Sequence, residues 1–387
     1  MKRPFQPGIE ILLQHHGNWL RGRRIGLVSH PAAVDQNGAS PLQRLMGDAS
    51  FEVSALFGLE HGFFGVAPAG QQLADSRHPV WNIPVFSLYG ETRRPTPEMM
   101  AAVDVILFDI QDIGTRCYTF VSSLYYLLQA AEKHGKTLIV ADRPVPLSHL
   151  PDGPATRKEF ESFVAALPLP MMYAMTPAEA ATWMVRRFKM DVDLRIAPMQ
   201  VAAEKEEIGT PPWIPPSPGI ASWESAAVYP ATVCFEAFAE IDYGRRAGLP
   251  FQLVGAPWMR GRDVAARLAD ARLPGIFFHP HIYPLTNDSA APQLIEGLRM
   301  VVTDPRVFRP IAAGVHLLAA MQALYGPGRL WDAQGARPEF FDKLLGTDTV
   351  RKALQAGEAP DDICASWNDD LRAFSRERQD CLLYKRP

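Results

Sequence analysis

A glutamate and a histidine stand side by side in ALFGLEHGFFG, residues 55–65, with Gly58, Gly62 and Gly65 around them. Glu60 is the type of group that gives or takes a proton. A neighbouring imidazole such as His61 can orient that carboxyl or tune its proton affinity. Two ionisable residues fenced by glycines suit core packing poorly, and glycine lets backbone approach a ligand closely. The pair therefore reads as a catalytic loop, and the apolar run before it (Ala55, Leu56, Phe57) reads as the end of a buried strand.

Three further stretches end in the same way. RIGLVSH (24–30) delivers Ser29 and His30, and FDIQDIGTRCYTF (108–120) delivers Asp109, Gln111, Asp112 and Arg116. TLIVADR (137–143) delivers Asp142 and Arg143. A parallel sheet would gather these strand ends on one rim, where open α/β sheets bind ligands. Each group also has a plain reading. Asp142 and Arg143 read equally well as an internal ion pair at a turn, and Asp109 and Asp112 as helix caps and partners of Arg116.

Thr176-Pro177-Ala178-Glu179 reads as a capping box with proline at the first helical position, a structural use for Glu179. Further on, Glu236, Glu240 and Asp242 form an acidic patch beside Arg245 and Arg246. His279 and His281 project to one face of a strand, but no third ligand stands at a recognisable spacing. No metal and no cofactor are expected.

The elements that would position these groups alternate. Short runs rich in Val and Ile at 24–30, 51–58, 103–110 and 137–143 have the continuous hydrophobicity of strands buried on both faces. FVSSLYYLLQAAEKHG (120–135) has helical spacing and stops at a glycine. This pattern predicts a Rossmann-like parallel sheet. Neither GxGxxG nor GxxxxGK[ST] occurs, so the dinucleotide and P-loop fingerprints are absent, and a nucleotide-cofactor oxidoreductase stands as a second alternative with only the Rossmann-like pattern behind it.

A proline-rich connector, GTPPWIPPSPG (209–219), marks the expected boundary between a domain over 1–212 and a smaller α/β domain over 213–387. In the second domain FQLVGAPW (251–258), GIFFHPHIYPL (275–285) and LRMVVTD (298–304) read as strands. PIAAGVHLLAAMQALYG (310–326) reads as a helix. The chain closes on a long helix predicted within 361–384, with Ile363, Trp367, Leu371, Phe374 and Arg378 at helical spacing.

The 387 residues are 47% hydrophobic and 21% charged, with a net charge of −3. That is the make-up of a globular protein without an electrostatic grip on nucleic acid or anionic lipid. No apolar run approaches the ~20 residues that span a bilayer. The N-terminus lacks the apolar core of a signal peptide, and the four cysteines form no CxxC pair. Reduced thiols and a cytoplasmic location are expected. The sequence leaves the oligomeric state open.

Several segments, in order, resemble the NamZ-like exo-β-N-acetylmuramidases. They are GIEILL near the start, GLEHGFFG, PVFSLYG at 84–90, FDIQDIGTRCYTF and the DRP of 142–144. WIPPSPG, AAVYPATVCFE at 226–236, FQLVGAPW and the terminal ICASWNDDLRAF and LLY continue the series. The resemblance implies an active-site cleft between the Rossmann-like domain and the smaller one. It implies release of N-acetylmuramic acid from the non-reducing end of peptidoglycan fragments. The family's EHG glutamate falls on Glu60, and a second family glutamate, in His-Gly-x-Thr-x-Gly-Glu, falls on Glu179. His30, Asp109, Gln111, Asp112, Asp142 and Glu236 then become candidate sugar-binding groups. Arg116, Arg143 or Arg245 would meet the lactyl carboxylate.

The chain departs from the family pattern at several places, among them Ser29-His30-Pro31-Ala32-Ala33 for the family's Thr-Asn-x-Thr-Gly and Arg246-Ala247 for its Gly-Thr. The second motif's His-Gly reads Tyr173-Ala174, with Ala178 before the glutamate, and the family's Glu-Gly-Thr-Asn reads Glu236-Ala237-Phe238-Ala239. These changes remove polar partners that a sugar would use. They define the alternative expectation, a paralogue that binds amino-sugar glycans without cleaving them or with altered specificity.

Overall fold

The computed structural model describes residues 5–200, 213–287 and 290–385. Twelve strands occur among them: β1 (Arg24–Ser29), β2 (Glu52–Gly58), β3 (Ser76–Arg77), β4 (Pro84–Ser87), β5 (Val105–Asp109), β6 (Thr137–Ala141), β7 (Asp152–Ala155), β8 (Pro170–Met172), β9 (Leu194–Ala197), β10 (Leu253–Val254), β11 (Ile276–Asn287) and β12 (Ala290–Val302). Seven of them form one sheet in the order β3-β4-β2-β1-β5-β6-β9, and every pairing is parallel except β3 with β4.

The continuous hydrophobicity of the central strands has its cause in this sheet. Alternate residues go to opposite faces, and both faces are covered. Ile25, Leu27, Leu56, Leu107 and Ile139 pack on one side. Val28, Phe57, Ile106, Phe108 and Val140 pack on the other, where the helix Phe120–Lys133 brings Leu124, Leu127 and Leu128. The chain leaves β1 towards β2 in one direction, and β5 leads to β6 in the other. The order therefore reverses between β1 and β5, which makes their carboxyl ends the switch point of the sheet.

The C-terminal part carries a separate antiparallel sheet, β10-β12-β11, with the helices Trp223–Thr232, Gly261–Ala269 and Pro310–Tyr325. Two features differ from expectation. FQLVGAPW yields only the two-residue β10, whereas the strand expected at LRMVVTD begins earlier, at Ala290, as one arm of a long hairpin. The expected terminal helix is broken into Pro360–Ala365 and Asn368–Arg378. The break comes where Trp367 turns into the core and the Ser366 hydroxyl bonds back to the Ile363 carbonyl at 2.6 Å. The spacing was informative all the same, since Ile363, Trp367, Leu371, Phe374 and Arg378 are all buried.

The expected boundary at 212/213 and the first four residues of the proline-rich connector lie at or within 201–212, outside the described residues. No helix among the described residues is long and apolar enough to cross a membrane.

Candidate active site

The Glu60 loop is built by its glycines. A Cβ on Gly58 would come within 2.6 Å of the Phe63 nitrogen, so the chain doubles back on itself there. His61, Gly62 and Gly65 all take positive φ, at 70°, 76° and 68°. For a histidine that conformation is strained, and its ring explains why it persists. His61 Nδ1 meets the Ala67 carbonyl at 2.7 Å, so it carries the proton and donates it. His61 is buried and clamps the loop.

Glu60 Oε1 accepts the Gly70 N–H at 3.1 Å, and Oε2 accepts the Thr119 hydroxyl at 2.7 Å. The carboxylate remains partly exposed. Tyr89 stands against it: burial, then the Glu60 charge and a hydrogen bond to it, raise the pKa of the Tyr89 hydroxyl. Glu236 is near enough to feel the Glu60 charge. Burial pushes the Glu236 carboxyl above its usual range, the Arg245 guanidinium pulls it back, and the Glu60 charge raises it again. Arg245 Nη2 donates to Glu236 Oε1 at 2.7 Å, and Arg337 donates to the Glu236 carbonyl at 2.6 Å. Tyr118 and Tyr229 are buried nearby, and both feel the Glu60 charge. Two carboxylates, one from each part of the chain, thus share an aromatic-walled site.

The other candidates divide. His30 and Gln111 meet at the switch point, where the Gln111 N–H donates to His30 Nε2 at 2.8 Å. Asp109 and Arg143 form a buried two-point ion pair, and Arg143 also donates to the Val34 carbonyl at 2.9 Å. The alternatives left open by the sequence resolve against its suggested pairings: Asp109 pairs with Arg143 rather than Arg116, and Asp142 does not pair with Arg143. Gln111 and Arg143 also line a mostly apolar cavity of about 330 Å³ whose walls include Trp213 and Trp223 but not Glu60.

Arg116 has no exposed surface and donates to the carbonyls of Pro154, Leu169 and Leu344 at 3.1, 2.6 and 2.9 Å. It stitches the loop after β5 to the β7-β8 pair and to the helix Pro338–Leu345, and burial lowers its pKa to about 10. Asp112 accepts the N–H groups of Ile113 and Gly114 and the Tyr173 hydroxyl, and burial lifts its pKa to about 6. Asp142 accepts from Thr176, Ala178 and Tyr384, and burial lifts it to about 7.

Glu179 is fully buried. Its Oε2 accepts the Thr176 N–H and its Oε1 the Leu383 N–H, both at 2.8 Å, so the capping box also holds the C-terminal tail. The departures from the family pattern have local explanations. Tyr173 gives its hydroxyl to Asp112 at 3.1 Å, and Ala174 holds φ +48° where the family motif has glycine. Phe238 turns into the core against Trp331 and Phe341, with ring centroids at 5.2 and 6.0 Å.

Sequence reasoning did not single out Thr119 or Tyr89. Both lie inside segments that carry the family resemblance, but neither is ionisable at neutral pH, and their value lies in pointing at Glu60. Among the described residues no three His, Cys, Asp or Glu side chains gather as a metal site.

The model for the N-terminal part of the exo-β-N-acetylmuramidase NamZ matches residues 25–224, and the model for its C-terminal part matches 227–384. The chain belongs to the NamZ family. The peptidoglycan β-N-acetylmuramidase NamZ of Bacillus subtilis strain 168 is 34% identical over 99% of this chain and 92% of its own length. Two crystal structures of DUF1343 family proteins from Bacteroides fragilis NCTC 9343 share the fold. One has a TM-score of 0.90 at 28% identity, covering 98% of this chain and 99% of its own. The other has a TM-score of 0.76 at 26% identity and covers the whole of both chains. In this NamZ-family chain the EHG loop retains a complete hydrogen-bond setting for its glutamate.

Proposed function

We propose that this chain is an exo-acting β-N-acetylmuramidase that releases an N-acetylmuramic acid-type sugar from the non-reducing end of peptidoglycan fragments. The observation that carries the reading is the pair of carboxylates Glu60 and Glu236, near enough for the charge of one to act on the other. Burial raises the Glu236 carboxyl above its usual range, and the nearby Glu60 charge adds to that rise. Glycoside hydrolysis uses two such groups: one carboxyl protonates the leaving oxygen while a second carboxylate acts as base or nucleophile. Glu60 is assigned as the general acid/base, since Thr119, Gly70 and Tyr89 fix its direction. Glu236, with Arg245 and Arg337 on it, is assigned as the partner. The B. subtilis relative's name supports the substrate class.

His61, Glu179, Arg116 and Asp112 take positioning roles in this reading, because their polar atoms are engaged in holding the loop, the tail and the turns. The aromatic walls suit stacking on a pyranose ring. The test is turnover of a chromogenic β-N-acetylmuramide by wild type and by Glu60→Gln at matched thermal stability. The variant is expected to lose about 10²- to 10⁴-fold in kcat, the usual worth of a general acid. A wild type without turnover, or a variant as fast as wild type, would sink the assignment.

A further inference from the structure

Of the three arginines that the sequence offered for the sugar's carboxylate, Arg116 is spent on three carbonyls, Arg143 on Asp109 and Val34, and Arg245 on Glu236. A fourth arginine stands in a different situation. Arg93 lies flat on the Tyr89 ring, with its Cζ 3.5 Å from the ring centroid, and 5.0 Å from the centroid of Phe163. These two rings are themselves 5.8 Å apart and tilted by 56°, so they form a platform under the guanidinium.

A guanidinium that stacks through its face leaves its in-plane N–H groups aimed outward in a fixed fork. Arg93 Nη1 is one of these, and it is buried without a hydrogen-bond partner among the described residues. A buried donor left unpaired is costly, and a charged one more so, unless an acceptor arrives. The acceptor that matches a guanidinium fork is a carboxylate. The platform lies beside Glu60, whose charge acts on the hydroxyl of the same Tyr89 ring.

We propose that Arg93 is the specificity-determining residue of this site: it binds a carboxylate carried by the sugar ring whose glycosidic oxygen meets Glu60, and so selects acidic over neutral amino sugars. This rests on the functional reading above, and it assigns the acid-recognising role to a residue outside the EHG loop. Tyr89 joins the two ends, stacking under Arg93 with its ring and meeting Glu60 with its hydroxyl.

Binding separates this proposal from catalysis. The dissociation constants of N-acetylmuramic acid and N-acetylglucosamine are measured by calorimetry for wild type, Arg93→Gln and Arg93→Lys. Wild type is expected to favour the acidic sugar by about 10- to 100-fold, the range for a hydrogen-bonded charge. Arg93→Gln should bring the ratio close to one. Arg93→Lys, which keeps the charge without the planar fork, should fall between them and covers the case in which the glutamine variant does not fold. A merely structural arginine would weaken both sugars alike and leave the ratio unchanged, which overturns the proposal. A wild type that binds the two sugars equally, or binds neither, overturns it as well. A wild type that selects the acidic sugar through Arg93 but turns over no β-N-acetylmuramide supports the Arg93 role while removing the hydrolase reading. The two failures are therefore distinguishable.

Discussion

The hydroxyl of Thr119 donates to Glu60 Oε2 over 2.7 Å, although Thr119 is the N-cap of the helix Phe120–Lys133. A threonine there ordinarily accepts a backbone N–H from the first turn, and this one makes no side-chain cap bond. The helix thus gives up its cap so that the end of β5's connection can hold a carboxylate at the end of β2. Thr119→Val keeps the shape and removes the donor. A hydrogen bond to a charged group is worth ~1.5–3 kcal/mol, so kcat/KM on a β-N-acetylmuramide should drop about 10- to 100-fold. Stability in urea should fall by no more than about 1 kcal/mol, since the bond to Glu60 is lost but no helix cap is. Thr119→Ser should restore most of the rate. A large loss of stability with the rate unchanged would show that the hydroxyl serves the helix after all.

Glu179 makes the opposite expectation. Its two oxygens accept the N–H groups of Thr176 and Leu383, one at a helix start and the other in the C-terminal tail. Glu179→Gln offers only one oxygen, so one of the two buried N–H groups must face an amide NH2. Leaving a buried donor unpaired costs ~1–3 kcal/mol, and urea unfolding should show that loss. Turnover per folded molecule should stay within about threefold of wild type, since a positioning role does not touch the reacting atoms. A rate loss of two orders of magnitude at full stability would instead make Glu179 the second catalytic carboxylate.

The contrast between these glutamates marks what the sequence could and could not tell. Strand after strand was legible because a sheet covered on both faces leaves an unbroken apolar run, as in β5 and β6. The helix Pro177–Phe188 was legible from its capping box, which has both of its reciprocal bonds. Glu60 stood out because glycines surround it. Pairing was not legible. Asp109 and Arg143 are 34 residues apart and meet only because β5 and β6 are neighbours. The nearness of Glu60 and Glu236 needs the second part of the chain to fold over the first. The break before Asn368 was hidden because Trp367 keeps the helical spacing of its neighbours while it ends one helix and begins the next.

His30 gives the fold a pH dependence that can be isolated. Its Nε2 accepts the Gln111 N–H, so the neutral ring carries its proton on Nδ1. Burial first, and then the charge of Arg143, hold its pKa at about 3, against an ordinary value of 6.5. Between those values the unfolded chain binds a proton that the folded chain refuses. Stability from this group therefore rises with pH, and acidification from 6.5 towards 3 removes about 1.4 kcal/mol per pH unit. Asp112 and Asp142 act in the other direction. Burial raises them to about 6 and about 7, so above pH 4 the folded state holds their protons longer than the unfolded state does. The overall slope is the balance of these and the other shifted groups, such as Asp109, Asp152 and Glu236, but a comparison with His30→Gln cancels all of them. From pH 6 to pH 4 the advantage of wild type over His30→Gln in urea unfolding should shrink by about 3 kcal/mol. A difference that stays constant over that range would mean that the His30 ring takes up its proton in the folded state, with the Gln111 bond broken.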